Sequence, residues 1–210
     1  VEIVAELIEA VRTGHCDYKG PEEPPVISPG GLRLLTERNL WPRAMRAIIE
    51  IEKVHPRACR RFHRSWPHNG WMVRALVGDD DIYFKALRLL LPPWRGGAKL
   101  LWRGQLAGMW VGPSWTSNFM VAEEFAFHGV NVHWGEDHVK GHPDYELRIP
   151  RHLMLRPLPN RRPVILQATM RDEIISKLPN YDYKENEFIV DPRGVAYESF
   201  GIADLPDPRI

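Results

Sequence analysis

Three short elements in the C-terminal half of this 210-residue chain carry side chains able to do chemistry together. Leu101-Trp102-Arg103-Gly104-Gln105 ends an apolar run with an arginine and a glycine, Ser114-Trp115-Thr116-Ser117 gathers three hydroxyls ahead of a helical pattern, and Glu185-Asn186-Glu187 opens a second apolar run with two carboxylates. A guanidinium fork grips anionic oxygens in a bidentate way and stays charged at any working pH. On a strand, the period of two puts Glu185 and Glu187 on one face, and a carboxylate stabilises positive charge where it develops. Taken singly, each element has an ordinary explanation: a solvated charge, a helix cap, a wet surface. Their order and context make them a candidate site.

The elements that must position these residues follow from hydrophobic spacing and breakers. Ile3, Val4, Leu7, Ile8 and Val11 recur at spacings of three and four and predict a helix that stops near Gly14. Gly20 to Gly31, with Pro21, Pro24, Pro25 and Pro29, reads as an irregular connection. A second helix is expected from about Pro42 through Ala44, Ile48, Ile49 and Ile51 to Pro56, and another after Asp79, Asp80 and Asp81, ending before Pro92 and Pro93. After Trp94 strand-length runs take over: Lys99 to Trp102, His152 to Leu155, Pro163 to Thr169, Glu187 to Val190 and Val195 to Phe200. Two helices interleave with them. One is capped by Thr116 and Ser117 and runs through Val121, Ala122, Phe125 and Ala126 to Gly129; the other spans Arg171 to Leu178, closed by Pro179.

With Ala122, Phe125-Ala126 and Phe188-Ile189-Val190 added, the three elements resemble the Arg-Ser-Glu class of mono-ADP-ribosyltransferases over roughly residues 98 to 200. The form resembled is the arginine-specific, Glu-x-Glu type found among bacterial and phage toxins and effectors. The resemblance implies an α+β fold: an ADP-ribosyltransferase-like catalytic domain over residues 98–210, built of two small sheets around an NAD cleft, preceded by a mainly helical region over residues 1–97. It implies NAD as substrate and a protein acceptor. Arg103 would hold the phosphates of NAD, and Gly104 would let the backbone approach the nicotinamide amide. Ser114 and Thr116 would line the cleft and orient the glutamate. Phe125 is either the aromatic near nicotinamide or an ordinary core residue. Glu187 would stabilise the oxocarbenium-like ribose from its 2'-hydroxyl, and Glu185 would present or deprotonate the acceptor guanidinium. Trp115 departs from the family pattern, which has a small residue inside the triplet, and a second register would use Thr116 and Ser117 instead. An NAD glycohydrolase would use the same cleft with water as acceptor. A non-catalytic binding or structural protein of the same fold is the alternative of another class, against which intact Arg103 and Glu187 count. The helical region would bind an antitoxin or regulatory partner, dock the target or cover the cleft.

Composition narrows the remaining choices. At 44% hydrophobic and 26% charged residues the chain is expected to fold around a core, and 28 basic against 27 acidic residues exclude a polyelectrolyte. Arg57, Arg60, Arg61 and Arg64, interleaved with Phe62 and Trp66, form a local basic segment. A solvated helical face is preferred over a nucleic-acid contact because net charge is only +1. His128, His133, His138 and His142 are spaced by five, five and four, which matches no zinc pattern, so no metal is expected. Trp41, Trp66, Trp71 and Trp94 belong to the core of the helical half. Cys16 and Cys59 have neither metal-site spacing nor the density of a disulfide scaffold, and no apolar run reaches the ~18 residues of a membrane span. No membrane partner and a cytoplasmic location, the cytoplasm of a target cell included, are expected. The chain begins at Val1 rather than Met, which leaves targeting open.

Overall fold

The computed structural model describes residues 2–16, 24–66, 70–108, 111–131, 162–179 and 186–201. It divides the chain into two compact units, Val1–Trp94 and Arg95–Ile210. The protein is mixed α+β: among the described residues the first unit holds helices and the second an antiparallel sheet and a helix. Among the described residues no helix is long and apolar enough to cross a membrane.

The N-terminal unit is built from α1 (Glu2–Thr13), α2 (Pro29–Glu37), α3 (Trp41–Ile49), α4 (Pro56–Ser65), α5 (Gly70–Val77) and α6 (Asp80–Leu90). Local chemistry sets the boundaries. Ser28 and Asp79 cap α2 and α6 by accepting from the backbone N–H of Gly31 and Ile82, each at 3.1 Å, and proline occupies the first turn of α2, α3 and α4. Helix α1 stops where Gly14 takes a φ of 74°, with the His55 ring packed where a side chain would stand. The expected irregular connection therefore ends earlier than Gly31, because Ser28 and Pro29 form a helix start. Trp41, Phe62, Trp66, Tyr83 and Phe84 form the centre of the core, with Phe62 stacked on Trp66 at 5.2 Å between centroids and Trp41 edge-on to both. Phe62 and Trp66 are buried, whereas the four arginines of α4 are exposed. Cys59 donates weakly to Leu89 O at 3.6 Å, and burial raises its thiol above the ordinary value against smaller opposing effects of its backbone hydrogen bond and Arg60.

The C-terminal unit contains β1 (Lys99–Leu106), β2 (Ser114–Thr116), α7 (Phe119–Asn131), β3 (Pro163–Met170), β4 (Ile174–Lys177), β5 (Glu187–Val190) and β6 (Glu198–Gly201). The described strands form one six-stranded sheet in the order β4-β5-β2-β1-β3-β6, where two small sheets were expected. The sheet is unevenly knit. β1 and β3 pair along eight residues, from Lys99 opposite Met170 to Leu106 opposite Pro163, whereas β1 and β2 meet at the single register pair Trp102 and Thr116. Three strands thus lie on each side of a thin seam.

Two expected helical features are corrected. Residues 171–178 form a turn and β4, not a helix: Ile174, Ile175 and Leu178 are all buried, and a bulge between Ile174 and Ser176 lets a strand bury adjacent isoleucines. Thr116 and Ser117 do not cap α7. Thr116 ends β2, and Asn118 caps the helix by accepting from Met120 N at 3.1 Å through its side chain and from Ala122 N at 3.2 Å through its carbonyl. Helix α7 (Phe119–Asn131) also continues past the expected stop at Gly129. The expected strand His152 to Leu155 lies outside the described residues.

Candidate functional site

Strand order places the candidate residues side by side, since β5, β2 and β1 are neighbours and carry Glu187, Ser114 and Arg103 respectively. Ser114 lies opposite Ile189, Trp115 opposite Phe188 and Thr116 opposite Glu187. Directly opposed residues share a face, so Ser114, Thr116 and Glu187 stand on one side of the sheet and Trp115 and Phe188 on the other, buried. Trp115, the departure from the family pattern, is thereby a core residue, and its indole N–H donates to Gly112 O at 3.1 Å.

Ser114 connects the other two. Its hydroxyl donates to Glu187 Oε1, and its carbonyl accepts from Arg103 Nη1 at 2.6 Å. Trp102 is opposite Thr116, so alternation puts Arg103 on the face away from Thr116, and its guanidinium reaches the backbone of Ser114 rather than the hydroxyl. A second acceptor, Gln105 Oε1, accepts a hydrogen bond from Arg103 Nε at 3.0 Å. Thr116 is buried, and its hydroxyl accepts from Asn118 N at 3.0 Å, which ties the end of β2 to the start of α7. The Ser114 hydroxyl is bonded to Glu187, and Ser117 N donates to Asn186 O at 3.4 Å.

Gly104 serves packing. A side chain there would collide with the carbonyl of Ala122 and the backbone N of Ala126, so the missing Cβ lets α7 lie flat against β1. Ala122 and Ala126 form a small cluster with Ile165, flanked by Trp102 and Phe119. Phe125 is not a core residue, being 53% exposed on the outer side of α7. Glu185 lies outside the described residues, as do His133, His138 and His142, while His128 falls on α7. Among the described residues no group of three His, Cys, Asp or Glu side chains could hold a metal ion.

Several contributing residues carry no role in the sequence reading. Gln105 stands two residues after Arg103 on a strand, the signal that both share a face. Asn186, at φ 45°, turns the chain through the left-handed region directly before Glu187, a conformation asparagine tolerates better than most residues. Gly112 lies against the Arg103 guanidinium, where a Cβ would stand 2.5 Å from Nη2.

No protein-family model matches the chain, and no curated protein or solved structure shows significant similarity to it.

Proposed function

We propose that the C-terminal unit is an NAD-dependent mono-ADP-ribosyltransferase that modifies a protein acceptor, at arginine. The observation that carries this reading is the linkage of Arg103, Ser114 and Glu187 through Ser114, on three adjacent strands and across the thin seam of the sheet. It is supported by the chemistry such a set can perform. Arg103 supplies a charged fork for the pyrophosphate, and Glu187, oriented by the Ser114 hydroxyl, supplies a carboxylate for the ribose. As the glycosidic bond breaks, its electron pair leaves with nicotinamide and positive charge develops on the ribose, where Glu187 stabilises it through the 2'-hydroxyl. A guanidine nitrogen of the acceptor then bonds to the anomeric carbon and gives up a proton, a task the family resemblance assigns to Glu185. The thin seam fits the finer fold proposal, two three-stranded halves with the dinucleotide between them.

The test is nicotinamide release from NAD by the purified chain, with and without a cell lysate. The parent is expected to release nicotinamide, and Glu187→Gln to lose at least about a hundredfold in rate, the scale of removing one preorganised group at a developing charge. Equal rates in parent and variant would overturn the proposal. Mass spectrometry of lysate proteins separates transfer from hydrolysis, since a glycohydrolase would release nicotinamide and label nothing.

A further inference from the structure

We infer that the arginine stripe of α4 is a docking surface for a short acidic helix of a partner protein, an inference about the N-terminal unit that does not depend on the chemistry proposed for the C-terminal one. Helix α4 is a fixed platform. His55 Nδ1 accepts from Arg57 N at 3.1 Å and sets the helix start, His55 N donates to Val11 O at 2.8 Å, and Phe62 stacks on Trp66 in the core. Ala58, Phe62 and Ser65 are buried, whereas Arg57, Arg60, Arg61 and Arg64 are exposed and run over two turns, about 10 Å. Arg61 is held in place by donating from Nη1 to Cys16 O at 3.0 Å.

This arrangement works against the stability of the helix itself. Residues three and four apart are neighbours on a helix surface, so Arg57 stands beside Arg60 and Arg61, and Arg64 beside the same two, each a like-charge pair. Arg57 also lies in the first turn, where the helix dipole favours negative charge. Other helices of the unit carry both signs: Arg33 pairs with Glu37 in α2, and Asp80 and Asp81 accompany Lys85 and Arg88 on α6. Among the described residues no carboxylate pairs with Arg57, Arg60 or Arg61. A facing helix with carboxylates at the same spacing converts the repulsion into attraction, because each guanidinium fork matches a carboxylate.

The extent of the charge selects protein over nucleic acid. From Lys53 to Gly78 the chain has six Lys and Arg residues and no Asp or Glu, so with a net charge of +1 overall the remainder carries −5. A short acidic helix matches the length of the stripe. A duplex, with one negative charge per about 1.7 Å, overruns it and is repelled by the rest of the chain. Phe62 and Trp66 are buried and offer bases no stacking platform.

The test is fluorescence anisotropy with the full chain at about 0.15 M salt, where exposed charges act over about 8 Å. The probes are a labelled alanine-rich helical peptide with four glutamates at the spacing of the four arginines, a scrambled peptide of the same composition, and a DNA duplex. The matched peptide is expected to bind about tenfold more tightly than the scrambled one, the scale of four exposed ion pairs acting together. Arg57→Glu with Arg60→Glu is expected to abolish that preference without lowering the thermal midpoint, since both side chains are exposed and their reversal removes the repulsion. Arg95→Glu with Arg171→Glu, an equal change of net charge at exposed positions of the other unit, is expected to leave the preference intact. Equal affinity for the two peptides, binding of neither, or equal loss in both double variants overturns the inference and leaves a solvated face. A duplex bound more tightly than the matched peptide overturns it in favour of nucleic acid. Nicotinamide release enters none of these readouts, so failure of the proposed function and failure of this inference are separate results.

Discussion

Gly104 shows how one residue can be given two different tasks by sequence and by structure. The family resemblance gives it an approach to nicotinamide; in the fold, its missing side chain admits helix α7, whose Ala122 carbonyl and Ala126 nitrogen occupy the space a Cβ would need. Gly104→Ala is therefore expected to destabilise the protein by about 2 kcal/mol, as overpacking against backbone does when no flexible side chain can yield. Chemical denaturation would show this as a lower midpoint at unchanged m-value, and a parental midpoint would return Gly104 to a role at the ligand. At this scale the sequence was informative about which side chains could act and silent about how they are held. The types and spacing of Arg103, Ser114 and Glu187 drew attention to them, whereas the bonds that Ser114 makes to both of the others depend on strand neighbours 11 and 73 residues away in the chain. No local pattern encodes those pairings.

The helices with strong local signals were legible as elements. α1 has a single apolar stripe and α6 has three acidic residues at its start, and both signals act within one turn or along one face. Asp79→Ala removes the acceptor of the Ile82 N–H and should lower stability by about 1 kcal/mol, while Asp79→Ser should largely retain it. Thermal unfolding of both variants would check this. Elements whose signals are shared between helix and strand were not legible. The spacing of Ile174, Ile175 and Leu178 suits a helix face, and it is equally well satisfied by β4 once a bulge intervenes and Phe188, Ile189 and Val190 are available to pair. Similarly, three hydroxyls before a helix look like caps, and only the pairing of residues 114–116 with β5 makes them a strand. On α4, Arg57, Arg60, Arg61 and Arg64 fall within about 100° of arc at 3.6 residues per turn. Phe62 and Trp66, which gave the segment its resemblance to a nucleic-acid contact, are in the core instead.

At the scale of the whole molecule the chain is two compact units joined at Trp94 and Arg95, and the residues around the junction, Arg95 to Leu100, are exposed. An Arg-Gly bond in an exposed, irregular stretch is a favourable site for trypsin. Brief digestion is expected to cut after Arg95, seen by mass spectrometry; an Arg95-Gly96 bond that survives digestion would contradict an exposed junction between the units. Within the second unit, the seam between β1 and β2 has a mechanical meaning. Eight register pairs clamp β1 to β3, while one joins β1 to β2, so the sheet behaves as two plates sharing a crease. A load drawing the plates apart would open the crease first, and among the first bonds to give would be the one from Arg103 to the carbonyl of Ser114.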